Sequence, residues 1–216
     1  MTPDDIILAS ASPRRLDLLA QIGIAPGAVQ PADIDETPYP AELPREYARR
    51  VSAEKADAVA GLHPEKLVLA ADTVVACGRR ILPKAEDERT AAQCLTLISG
   101  RSHRVYTAAC LAGPKSQVRT RITETRVKVA RLSTAEIRTY LDSGEWRGKA
   151  GGYAIQGRFA AHIVSLIGSY TNGVGLSLRE TANVLRGAGV IWRHPCSYSS
   201  ILVSQRRAFS GLWMKQ

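Results

Sequence analysis

The stretch Ile6-Ile-Leu-Ala-Ser-Ala-Ser-Pro-Arg-Arg15 constrains the fold more than any other part of the chain, because it runs an apolar strand directly into a helix start. Ile6 to Ala9 reads as a short buried strand. Ser12 suits the N-cap and Pro13 the first helical position, and Leu16, Leu19, Ala20 and Gly23 follow at helical spacing. Such a junction aims free backbone N–H groups and the positive end of a helix dipole out of a strand end. With Arg14 and Arg15 alongside, it can hold a phosphate. The same residues also fit a capped helix whose arginines face water, and the segment alone leaves both readings open.

The Pro- and acid-rich segment Ala25 to Pro40 reads as a strand end or loop with concentrated negative charge at Asp33, Asp35 and Glu36. A helix follows to about Ala60, in which Leu43, Tyr47, Val51 and Lys55 fall at steps of four. The ammonium of Lys55 therefore extends an apolar stripe, either entering a cleft or snorkelling to water. Leu67 to Ala71 is an apolar run of strand length; Asp72 and Thr73 interrupt it before Val74 to Ala76 resume. A carboxylate there needs a cation, hydrogen bonds or a pocket at a strand end, because burying it unpaired is unfavourable. Cys77 to Arg80 has the composition of a hairpin turn and Ile81 to Lys84 returns the chain, which predicts Asp72 and Lys84 on neighbouring strands.

Thr90 to Leu97 is helical in pattern and stops at Gly100, while His103 to Ala112 alternates like a strand. Ser133-Thr-Ala-Glu136 is a capping box opening a helix that ends near Ser143-Gly144. Gly148 to Gly157 is a glycine-rich loop with neither Walker nor Rossmann spacing, and its glycines permit close backbone approach. Phe159 to Ile167 is strand-like, Gly168-Ser-Tyr170 a turn, and a last helix runs from about Leu176 to Leu185, closed by Gly187. Strands thus alternate with helices and hairpins intervene, so the expected class is α/β, a mixed twisted sheet with flanking helices.

A chain of 216 residues, 45% hydrophobic and 23% charged, can bury a full core without disulfides or metal. Cys77, Cys94, Cys110 and Cys196 show no C-x-x-C pairing, no apolar run reaches membrane-span length, and the N-terminus lacks a signal-like core. The expectation is a cytoplasmic protein with no membrane partner. The net charge of +9 raises the question of nucleic acid. Arg193, Arg206, Arg207 and Lys215 follow one another without an acid, however, so the tail carries much of that charge. A second cluster, Arg119, Arg121, Arg126, Lys128 and Arg131, is interrupted by Glu124 and by Ile122, Val127 and Val129, which read as a strand. The aromatic interleaving of a single-strand binder is missing, and nucleic acid is not the expected partner. His63, His103, His162 and His194 share no metal-ligand spacing.

Several segments together resemble the Maf family of nucleoside triphosphate pyrophosphatases. They are Ser10 to Arg15, Asp35-Glu36, Ala53 to Ala56, Ala71-Asp-Thr73, Leu82-Pro-Lys84 with Asp87, Ser99-Gly100, Tyr153-Ala-Ile-Gln-Gly157, Gly168 to Tyr170 and Gly175-Leu176. Each is weak alone; their order and spacing are specific. The resemblance implies two lobes around a cleft, a fold related to the inosine triphosphate pyrophosphatases, a cytoplasmic enzyme and a possible homodimer. It makes 1–190 the Maf-like domain and 191–216 an atypical basic C-terminal tail.

The implied activity is cleavage of a nucleoside triphosphate between the α and β phosphates, aided by a divalent cation, Mg2+ or Mn2+. Asp72 is marked as general base. Glu36 and Asp72 supply hard oxygen donors for the metal. The substrate-binding set is Ser10, Ser12, Arg14, Arg15, Lys55, Thr73, Lys84 and Gln156. Arg14, Thr73 and Gln156 resemble the branch acting on dTTP and UTP, and a glutamine amide matches the O4 acceptor and N3–H donor of thymine or uracil. An amide can also flip to follow cytosine, so Gln156 alone does not exclude CTP. Action on 7-methyl-GTP or another modified nucleotide, and a non-enzymatic regulatory role in septum formation, are the competing readings. Among departures from the family pattern, Thr171-Asn-Gly173 is expected to form a flexible turn loosening one wall of the cleft.

Overall fold

The computed structural model describes residues 1–114 and 117–192. Its strands are β1 (Ile6–Ala9), β2 (Ala28–Val29), β3 (Leu67–Cys77), β4 (Arg80–Leu82), β5 (Lys84–Ala85), β6 (Ser102–Gly113), β7 (Gln117–Val129), β8 (Lys149–Ala150) and β9 (Ile163–Ile167). Its helices are α1 (Pro13–Gln21), α2 (Pro44–Ala60), α3 (Glu88–Ile98), α4 (Thr134–Asp142), α5 (Tyr170–Val174) and α6 (Leu178–Gly187). A seven-stranded sheet runs β2-β1-β3-β6-β7-β9 with β4 added to β3, and β5 pairs with β8 separately. β1 is parallel to both β2 and β3; the remaining pairings are antiparallel, so the sheet is mixed as the element order predicts.

Burial explains the layers. Along β3 successive side chains face opposite ways. Val68 and Ala70 pack with Ala56 and Val59 of α2, and Val74 packs with Ala48. On the other face Leu67 and Leu69 join Leu18 and Leu19 of α1 and Val184 and Leu185 of α6. Beyond Val75 a second lobe begins, in which Leu95 and Ile98 of α3, Tyr140 of α4, Trp146, Tyr153 and Phe159 share a core with Val105 and Val127 of the sheet. The capping box at Ser133 and Glu136 forms as expected, and Asp87 caps α3 by accepting from the Thr90 N–H.

The strand pairing opens a crevice where the site will lie. β3 pairs with β1 as far as Ala70 and, on the same edge, with β4 from Val75 onward. Between them no described strand covers that edge, and β1 ends there in the turn into α1. Asp72 and Thr73 occupy the gap, outside the carboxyl end of a parallel strand, which is where open α/β sheets characteristically bind ligands.

Several expectations are corrected. Lys84 does not lie on the strand beside Asp72; β4 ends at Leu82, and Pro83, which lacks an N–H to continue a ladder, lets the chain turn away so that Lys84 pairs opposite Ala150. Residues 158–162 form a 3-10 turn, and only Ile163–Ile167 is strand. Ser12 has N-cap backbone geometry but makes no side-chain cap. The glycine-rich loop approaches the protein's own body: a Cβ on Gly151 would meet Val75 Cγ1 at 2.8 Å, and one on Gly152 the Ala91 Cα at 3.2 Å, both at positive φ. Thr171-Asn-Gly173 is not a loose turn. Asn172 is fully buried, donating through Nδ2 to the Val105 carbonyl and to Thr125 Oγ1. At the chain's other end, Ile191 N–H bonds the Met1 carbonyl and Trp192 Nε1 donates to the Ile22 carbonyl, while residues 193–216 of the expected tail lie outside the described residues.

Candidate active site

Asp72 and Lys55 meet because two local patterns coincide. Lys55 lies on the face of α2 that also buries Ala48, Val51, Ser52, Ala56 and Val59, and Asp72 lies between Ala70 and Val74 on the face of β3 that α2 covers. The lysine enters the cleft and does not snorkel: only 7% of it and 3% of Asp72 are exposed, and Lys55 Nζ donates to Asp72 Oδ1 at 2.9 Å. The same nitrogen is 3.0 Å from Glu36 Oε1, and Glu36 Oε2 accepts from Lys84 Nζ at 3.0 Å. Burial raises the Glu36 pKa, but the ammonium groups of Lys55 and Lys84 outweigh it and hold the carboxyl below its ordinary value.

Glu36 is held in place by contacts of its own segment with α2. Tyr47 donates its hydroxyl to the Glu36 carbonyl, and the Arg50 guanidinium grips Glu42 with two hydrogen bonds of 2.8 and 2.9 Å while donating to the Thr37 carbonyl. Burial, with the charges of Asp72 and Glu36, raises the Tyr47 pKa, so its phenol stays protonated and keeps donating.

On the opposite face of β3, Arg15 organises a second network. Its Nε donates to the Gly175 carbonyl at 2.9 Å, one terminal nitrogen to Ser10 Oγ at 2.7 Å and the other to Thr73 Oγ1 at 3.2 Å. Ser10 Oγ in turn accepts from the Ser12 N–H, fixing the turn between β1 and α1. Three of the five N–H donors of this guanidinium thus hold the protein together. Arg14, one residue earlier, makes no hydrogen bond or ion pair among the described residues, and Gln156 is exposed with its amide unengaged.

All of the sequence-predicted site residues line one cavity of about 500 Å³: Ser10, Ser12, Arg14, Arg15, Glu36, Lys55, Asp72, Thr73, Lys84 and Gln156. Its walls come from the β1–α1 turn, the acidic segment, α2, β3, the β5–β8 pair and the loop before α6. Residues 5–188 match the family described as Maf-like protein. The chain belongs to the Maf family. Among its relatives, a protein of Paramagnetospirillum magneticum named dTTP/UTP pyrophosphatase is 61% identical over 184 residues, 85% of this chain and 97% of that one. One of the same name from Mesorhizobium japonicum is 58% identical over 190 residues, covering 85% and 91%. In fold the chain is similar to the Staphylococcus aureus Ham1 protein, with a TM-score of 0.49 and 13% identity over 85% of this chain and 96% of that one. That likeness is too distant to speak to chemistry.

This Maf-family cavity also contains groups to which the sequence reading assigned no role in the site. Arg147, Lys149, Glu86 and Tyr153 line it, and the Gly175 carbonyl ties Arg15 and Thr73 together. A carbonyl has no sequence signal; Lys149 sat in a loop noted only for its glycines, and Arg147 just before it. Tyr153 rests on His103, whose Nε2 is 2.6 Å from the phenol oxygen. Burial pushes the His103 pKa down to about 4.

The sign of the resulting pH dependence follows from which state takes up the proton. Below about pH 6.5 the unfolded chain protonates His103 while the folded site refuses. Its contribution is therefore complete above that pH and is lost as the pH falls toward 4. Chemical denaturation at pH 7.5 and 4.5 is expected to give about 2–3 kcal/mol more acid destabilisation in the wild type than in His103→Gln. Equal losses in the two proteins would mean that His103 does not set this slope.

Proposed function

We propose that the protein is a nucleoside triphosphate pyrophosphatase that hydrolyses dTTP and UTP to the monophosphate and pyrophosphate. The observation that carries the reading is Asp72. Its carboxylate is buried by the sheet yet lines a cavity rich in cations, and Lys55 takes one of its oxygens. Oδ2 makes no hydrogen bond among the described residues, and Asp72 lines the cavity. That oxygen is the group to accept the proton of a water attacking the α-phosphorus. As the new P–O bond forms, the bond from the α-phosphorus to the α–β bridging oxygen breaks, and pyrophosphate leaves with the electron pair.

The donor set also suits a divalent cation. Glu36 and Asp72 present carboxylate oxygens that converge on one point, now held by Lys55 Nζ, and no group of three or more His, Cys, Asp or Glu gathers among the described residues. Two carboxylates with water and substrate phosphates completing the shell are what Mg2+ or Mn2+ takes in such enzymes. When bound, the cation supplies charge neutralisation at the phosphates. The protein's own part is to fix Asp72 and Glu36 through Lys55, and to align the β1–α1 turn through Arg15.

The names of the relatives favour dTTP and UTP. Gln156, exposed at the cavity with an unengaged amide, is the group assigned to the pyrimidine edge. The reading takes 1–190 as the catalytic domain and places the enzyme in the cytoplasm; no helix of the described residues is long and apolar enough to cross a membrane. The test is pyrophosphate release from dTTP, UTP, CTP, GTP and 7-methyl-GTP with Mg2+ or Mn2+. Preferential cleavage of dTTP and UTP is expected. Preference for 7-methyl-GTP would discard the role of Gln156, and no cleavage of any nucleotide would overturn the reading.

A further inference from the structure

The cations of the cavity are unequal. Lys55 and Lys84 are already neutralised by Glu36 and Asp72, at 2.9 to 3.0 Å. Arg15 commits three of its five donors to Gly175, Ser10 and Thr73, which fixes its guanidinium in the protein's own network. Arg147 has no carboxylate partner among the described residues, but its guanidinium lies over the Trp146 ring, 4.5 Å from the centroid. Arg14 and Lys149 have neither a carboxylate nor an aromatic partner there; the Lys149 ammonium donates only to the Arg147 carbonyl, at 3.0 Å. They reach the cavity from different elements, Arg14 from the first turn of α1 and Lys149 from β8, where its backbone is pinned opposite Ala85.

We propose that Lys149, together with Arg14, is the receptor for the departing pyrophosphate end of the substrate. This rests on the pyrophosphatase reading. The α-phosphorus must lie at Asp72, among carboxylates whose positive partners are spent. The remaining phosphate charge then requires cations that nothing else has neutralised. Burial lowers the Lys149 pKa first, and the neighbouring Arg14 charge lowers it further against a smaller opposing pull from Glu145. The free enzyme therefore holds two like charges in mutual repulsion, and a polyphosphate relieves it. The backbone geometry supports a fixed position: Gly148, Gly151 and Gly152 all adopt positive φ around β8, and the Gly148 N–H donates to the Ala85 carbonyl, so the strand that carries Lys149 is anchored on both sides.

The experiment compares the full-length wild type with Lys149→Met, Lys149→Arg and, as a control removing an exposed cation elsewhere, Lys128→Met. The probes are thermal shift with inorganic tripolyphosphate and steady-state hydrolysis of dTTP. For Lys149→Met, the tripolyphosphate-induced rise in Tm should fall by at least half, and the dTTP KM should rise about tenfold or more with a smaller change in kcat. Lys128→Met should keep both, and Lys149→Arg should recover most of the tripolyphosphate shift that Lys149→Met loses. Without ligand, Lys149→Met should melt at or above the wild-type temperature, because a repulsive charge has been removed. An unchanged tripolyphosphate shift and KM in Lys149→Met would overturn the proposal, as would an equal loss in Lys128→Met or a ligand-free Tm well below wild type. If the wild type cleaves no nucleotide while tripolyphosphate still stabilises it through Lys149, the polyphosphate site stands and the pyrophosphatase reading falls.

Discussion

Asp72→Asn is expected to reduce turnover of dTTP by about a thousandfold, the middle of the range for loss of a positioned general base. The amide keeps the shape of the carboxylate and cannot take the proton of the attacking water. The fold should survive, because Lys55 retains Glu36 as a counter-charge at 3.0 Å when Asp72 is neutral. Nucleotide binding should persist or tighten, since one negative charge has left a cavity built for an anion. Pyrophosphate release, calorimetric binding of dTTP and a melting curve on the same variant test the three statements separately. Turnover within tenfold of wild type would remove Asp72 from the role of base.

Much of this site was legible because its parts announce themselves locally. Asp72 is a carboxylate inside an apolar run, and Lys55 is a cation four residues beyond Val51 on an apolar stripe. Both anomalies have the same resolution, namely each other, and the strand and helix periods that place them are short-range properties. The strand-to-cap junction at Ser10 to Arg15 was legible for the same reason.

Long-range pairing was not legible. Nothing near Arg15 in sequence indicates that three of its donors serve the protein itself, one of them the carbonyl of Gly175, 160 residues away. Lys84 followed a hairpin that ran on to Leu82, but the strand it joins, β8, is too short to have a pattern. Asn172 in an apparently flexible triplet could be seen as structural only once Val105 and Thr125 were brought against it from two other strands. The sequence thus picked out residues that the fold brings to one cavity, while the division of labour among the cations came from tertiary contacts.

Lys55→Met is expected to be the most destabilising of these substitutions, by about 3–5 kcal/mol, the usual consequence of removing one partner from a buried ion pair. Methionine fills the stem's place on α2 but leaves Asp72 and Glu36 facing each other without the nitrogen that both now contact. For a chain of this size the melting temperature should drop by about 10 °C. Combining it with Asp72→Asn should recover most of that loss, because an amide in the same position needs no counter-charge and no longer repels Glu36. The pair of variants also tests where the cation binds. If Glu36 and Asp72 are its ligands, Mg2+ should raise the melting temperature of Lys55→Met more than that of the wild type, since it enters a site from which its competitor has been removed. It should do little for the double variant, which has lost a ligand as well. Equal Mg2+ shifts in all three proteins would place the metal elsewhere and leave Lys55 as a structural bridge between two carboxylates.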